Sequence, residues 1–115
     1  MSRIVIYPRG RNVGTADFTG VDPGLGNATA TLQPSGDYSE IRSIVQDYTR
    51  LRAERRNDDE YRQVQRRFET LGLQARTMLG DDIKPSGGVL IEDAGGICRI
   101  TLVGLSTVDR QKLFG

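Results

Sequence analysis

The hydrophobic period changes twice along this chain, and those two changes limit the folds open to it. Between residues 38 and 78 apolar side chains recur at three- and four-residue steps, whereas before and after they sit in short β-branched runs broken by glycine and proline. A helix-period segment between two strand-period segments predicts an α+β domain. Its expected parts are short N-terminal β strands, a central α-helical hairpin over about 38–56 and 58–79, a C-terminal β-hairpin over about 89–103 and a short terminal helix. The 115 residues are enough for one domain spanning 1–115, with a loop-rich β arm to residue 36 and helical sequence to residue 80.

In the arm, Arg3-Ile4-Val5-Ile6-Tyr7 reads as a strand stopped by Pro8 and Gly10, and Val13 to Phe18 and Ala28 to Leu32 are candidate strands among turn residues. The first helix places Ile41, Ile44, Val45, Tyr48 and Leu51 on one face and Arg42, Gln46, Arg50 and Glu54 on the other, with Asp37 or Ser39 as its cap. The second stripe is Tyr61, Val64, Phe68, Leu71, Ala75 and Met78, opened by a capping-box spacing from Asn57 to Glu60. The two stripes are out of phase, which argues for a hairpin more than for one long rod. Gly72 then falls inside the second helix, at a cost of about 1 kcal/mol against alanine, and Gly80 takes the position just past its end.

Beyond Lys84-Pro85-Ser86-Gly87-Gly88, the runs Val89 to Glu92 and Ile97 to Val103 flank Asp93-Ala94-Gly95-Gly96, the composition of a hairpin loop. Alternation puts Cys98, Ile100 and Leu102 on the buried face. Ser106 to Phe114 suits a helix capped by Ser106 or Thr107. Its apolar residues Leu105, Val108, Leu113 and Phe114 dock it and form the expected protein interface.

The chain contains no histidine and a single cysteine, Cys98. That removes Ser-His and Cys-His nucleophile pairs, the histidine-based zinc motifs and any intramolecular disulfide. Cys98, among Ile97, Ile100 and Leu102 in a strand, reads as a structural thiol. The glycines at 10, 14, 20, 24 and 26 are followed by no Gly-Lys-Ser/Thr, so they read as turns and not as a phosphate loop. Asp17, Asp22, Asn27, Asp81 and Asp82 lack the spacing of a calcium loop, and the acidic pairs Glu92-Asp93 and Asp81-Asp82 sit at element ends. Neither an enzyme, nor a cofactor, nor a small-molecule substrate is expected.

Sixteen basic residues against fifteen acidic ones leave no global field to draw the protein to a polyanion. Locally, residues 42–76 hold nine arginines and six acids. Arg50, Arg52, Arg55, Arg56, Arg62, Arg66 and Arg67 are therefore the candidate contacts for nucleic acid or another anion, weighed against a solvated helix face neutralised by neighbouring acids. No apolar run nears the ~20 residues of a membrane span, and residues 1–10 lack the apolar core of a signal peptide. The expectation is a cytoplasmic protein, or a component of a particle assembled in a cytoplasm. The leading function is a non-enzymatic protein–protein interaction or assembly module, as a homo-oligomer or a small structural subunit of a larger complex or virus particle. A nucleic-acid-binding accessory protein is the alternative.

N-terminal strands, a helix, Leu71-Gly72-Leu73-Gln74-Ala75-Arg76-Thr77-Met78-Leu79-Gly80-Asp81-Asp82-Ile83 and a final hairpin follow in an order that resembles the region preceding caspase-like CHAT protease domains in bacteria. The resemblance implies a regulatory module of a bacterial protease or defence system. It implies no protease activity, because the catalytic His-Cys pair is missing.

Overall fold

The computed structural model describes residues 2–7, 10–22 and 24–114, with side chains from residue 10 onward. The expected strand stop at Pro8, and Pro23, lie outside the described residues. Three strands, β1 (Ser2–Tyr7), β2 (Arg11–Asp17) and β3 (Ala28–Pro34), precede helices α1 (Arg42–Ala53) and α2 (Asp59–Thr70). Strands β4 (Gln74–Thr77), β5 (Asp82–Ile83), β6 (Gly88–Ala94) and β7 (Ile97–Val103) follow, and α3 (Thr107–Phe114) closes the chain. The α+β class and the order of strands, helices, hairpin and terminal helix are those the periodicity predicts.

The described strands form one sheet in the order β5-β4-β1-β2-β3-β7-β6, antiparallel throughout. β3 holds it together by dividing its length between two neighbours. Residues 28–31 pair with β7 and residues 32–34 with β2. β4 touches β6 although four strands separate them in the order, so the sheet curls, and α1 and α2 pack against each other beside β6. Cys98, Ile100 and Leu102 of β7 face inward as alternation predicts, opposite Ile91 of β6 and Ala28 of β3, and they meet Val45 and Leu51 of α1 in one core.

Both helices begin and end for local reasons. The first helix starts later than the expected residue 38: Asp37 and Ser39 lie in a 3-10 turn, Gly36–Glu40, which buries Tyr38, and neither caps α1, which opens at Ile41 without a side-chain capping bond. Glu54 ends α1, and the next residue, Arg55, takes φ of +54°. The Arg55 amide donates to the Arg52 carbonyl at 3.0 Å and the Arg56 amide to the Leu51 carbonyl at 3.1 Å, the double bond of a Schellman motif built on arginine in place of glycine. α2 is capped by Asp58, whose carboxylate accepts from the Tyr61 amide at 3.1 Å. The expected cap was Asn57; the motif sits one residue later.

The expected second helix over 58–79 is too long. It stops at Thr70 because Gly72 adopts φ of +59° and its amide donates to the Glu69 carbonyl at 3.0 Å. Gly72 is thus the terminator of α2 and not an interior residue. Gln74–Thr77 becomes a strand between β1 and β5, with Ala75 and Thr77 buried and Gln74 and Arg76 exposed. Met78 leaves the apolar stripe for an exposed turn beside Leu79, at 60% and 91% exposure. Gly80 belongs to that turn, its amide bonded to the Thr77 carbonyl, and ends no helix.

The β6–β7 hairpin turns on Gly95 and Gly96 alone, both at positive φ (+62° and +79°), as a primed two-residue turn requires. Ser106 caps α3 by accepting from the Asp109 amide at 3.1 Å. Buried Asp109 in turn accepts from the Lys84 amide at 3.4 Å, which ties α3 to the chain after β5.

Candidate functional site

The register of β6 decides where this molecule can take up another. β6 stands at one end of the strand order, and no described strand pairs with its outer side. A two-residue turn sets its ladder: Ala94–Ile97, Glu92–Arg99 and Leu90–Thr101 exchange hydrogen bonds, so the amides and carbonyls of Val89, Ile91 and Asp93 point away from β7. The Asp93 amide is taken by Thr49 Oγ1 of α1 at 3.1 Å, and Ile91 is sealed in the core. Val89 remains. Just before it the ladder breaks, with the Gly88 amide donating to the Pro85 carbonyl at 3.0 Å and the Gly87 amide to the Val103 carbonyl at 2.8 Å.

Val89 borders a groove of about 370 Å³ between the helices and the edge of the sheet. Its floor is aromatic: the rings of Tyr48 and Phe68 lie 4.7 Å apart, and both are almost fully buried. Leu73, Leu90 and Val103 add half-buried apolar walls, while Gly87 and Gly88 leave the backbone uncovered by side chains. Two charges line it. Arg52 lies over the Tyr48 ring at 5.5 Å, and Glu69 comes from α2. Neither makes an ion pair among the described residues. The groove draws on α1, α2, the α2–β4 connection and the β6–β7 hairpin.

A second cluster lies at the other end of β6. The Cys98 thiol donates to the Tyr38 hydroxyl at 3.5 Å, and that hydroxyl donates to Asp93 Oδ2 at 2.8 Å. Burial pushes the Tyr38 phenol far above its ordinary range, reinforced by the bonds to Cys98 and Asp93. Burial raises the Cys98 thiol too, opposed by the Tyr38 bond and the nearby Arg42 guanidinium. Both groups keep their protons at neutral pH, which makes the thiol a poor nucleophile. A cleft of about 460 Å³ lined by Arg42, Gln46, Gly95 and Gly96 opens beside them. Among the described residues no three His, Cys, Asp or Glu side chains are grouped so as to hold a metal ion.

The seven candidate arginines separate into two groups. Arg56 binds Asp58 at 2.6 Å, Glu60 at 2.7 Å and Glu54 at 3.3 Å, and Arg50 reaches Glu54 and Glu60 at 3.5 and 3.7 Å. Arg62 pairs with Asp59 at 3.1 Å. These bonds lift the Arg56 guanidinium and hold the Asp58 carboxyl below the usual carboxylate range. Arg52, Arg55, Arg66 and Arg67 are exposed and form no ion pair among the described residues. The arginines sit where helical spacing puts them, but their acids take up three of the seven.

Of the four residues expected at a protein interface, Leu105 and Leu113 are buried in the chain's own core, at 5% and 1% exposure. Both belong to the one hydrophobic core, so of the four only Val108, which is exposed, and Phe114, which is half-buried, reach solvent at that end. The groove beside β6 is not legible as a groove in the sequence, where Tyr48 and Phe68 read only as core positions. Its one legible sign is Gly87-Gly88, two residues without side chains directly before a strand.

No described helix is long and apolar enough to cross a membrane. Comparison with protein-family models, with curated proteins and with solved structures finds no match to this chain.

Proposed function

We propose that this protein is a non-enzymatic interaction module that docks a protein partner in the groove between its helices and the open edge of β6. The observation that carries this reading is Val89, whose main-chain donor and acceptor are turned away from β7 by the hairpin register and which borders an aromatic-floored groove with no described strand opposite it. Two protonated, buried groups at Tyr38 and Cys98 support a scaffold role over a catalytic one. The exposed apolar pair Met78 and Leu79 gives a partner a second place to rest. Assembly into a larger complex, in a cytoplasm or in a particle formed there, fits the same reading.

The test is retention of protein partners from an extract of the source cells. Wild-type protein and a Thr29→Glu variant, altered on the exposed face of β3, are expected to retain the same partner, while Leu90→Glu loses it. Equal retention by all three overturns the reading.

One observation favours a second reading, an accessory protein for nucleic acid: Arg55, Arg66 and Arg67 are exposed around the helix junction and make no ion pair among the described residues. Three phosphate contacts would give an affinity falling with salt at a log–log slope of about −2 to −3. Absence of binding to a short duplex at low salt eliminates it.

A further inference from the structure

We infer that the occupant of the groove is a short extended peptide that adds as a strand to Val89 and carries a carboxylate side chain toward Arg52. This rests on the docking reading above and specifies its partner. A helix brought to the groove would leave the Val89 amide and carbonyl unanswered, whereas an extended backbone answers both at once. Ile91 is closed off and Asp93 is bonded to Thr49, so the open edge is short and holds few residues. Alternate side chains of an added strand point to opposite faces, so one apolar side chain can lie on the Tyr48–Phe68 floor while its neighbours face outward.

Charge complementarity selects the rest. Arg52 is held over the Tyr48 ring with no carboxylate of the described residues in ion-pair range. Its guanidinium is oriented by the ring and keeps its donors for a partner. Glu69 lines the same groove, so a polyanion meets more repulsion than a peptide whose single acid is paired with Arg52. The site therefore fits an apolar segment flanked by Asp or Glu on the Arg52 side.

The test uses two capped peptides, acetyl-Glu-Val-Leu-Val-amide and its Lys-for-Glu counterpart, titrated into the isotope-labelled full chain and followed by NMR. The acidic peptide is expected to shift the Val89 amide and the Tyr48 ring together. Arg52→Glu is expected to weaken the acidic peptide about tenfold and to favour the basic one. Shifts at the Tyr48 ring with an unmoved Val89 amide overturn strand addition while leaving groove docking in place. Equal affinity for the two peptides overturns the role of Arg52. Loss of partner retention by Leu90→Glu with no shift from either peptide overturns the peptide class alone. Shifts at Val89 that appear with protein concentration, without peptide, replace the peptide by a second copy of the chain.

Discussion

The hydroxyl of Tyr38 lies 2.8 Å from Oδ2 of Asp93 and fastens the turn before α1 to the last inward position of β6. Because Tyr38 is fully buried, replacing it with phenylalanine leaves Asp93 and the Cys98 thiol without that partner and supplies nothing instead. Tyr38→Phe is expected to lower stability by about 1–3 kcal/mol. Urea denaturation at neutral pH measures it.

The same pair gives stability a pH dependence. The folded pKa values of Tyr38 and Cys98 are raised above their ordinary 10.0 and 9.0, chiefly by burial. The folded state thus retains protons that the unfolded chain releases. Their contribution is fully present below about pH 9 and is lost as pH rises beyond it. Urea midpoints measured from pH 7 to 11 are expected to hold and then fall. The gap between wild type and Tyr38→Phe narrows above pH 10, where the unfolded tyrosine ionises.

Arg55 occupies a left-handed position at the end of α1, with φ of +54°. Arginine is strained there and glycine is not. Arg55→Gly is expected to stabilise the protein by about 0.5–1 kcal/mol, after the greater flexibility of glycine in the unfolded chain is set against the relief. A rise in the urea midpoint at unchanged slope is the readout.

Gly87 is required by close approach. A Cβ there would lie 2.5 Å from Val103 Cγ1 and 3.2 Å from the Val103 carbonyl oxygen. Rotating the valine side chain gives no relief, because the added Cβ would still lie 3.0 Å from Val103 Cβ and 3.2 Å from its carbonyl oxygen, which already accepts from the Gly87 amide. Gly87→Ala is expected to cost about 1–3 kcal/mol in thermal or urea unfolding.

Much of this fold is legible in the residues, and the exceptions have physical causes. Cys98, Ile100 and Leu102 alternate cleanly, and Val45, Tyr48 and Leu51 keep a helical step, because each set is buried by its own element's period. The reading fails between Leu71 and Leu79. Ala75 is apolar at a step that suits a helix and equally suits a strand, and four residues of β4 are too few to show a period of two. What distinguishes the two is the positive φ of Gly72, a property of backbone that a glycine permits but does not announce. The groove was hidden for another reason. Whether β6 is central or at an edge depends on strand order, which is set by contacts far apart in sequence.

Amide hydrogen exchange in the β6 strand of the free protein tests the open edge most directly. Val89 is expected to exchange fast, while Leu90, bonded to Thr101 of β7, and Asp93, bonded to Thr49, exchange slowly. A Val89 amide as protected as that of Leu90 would mean that the edge is already occupied, and would contradict the docking groove.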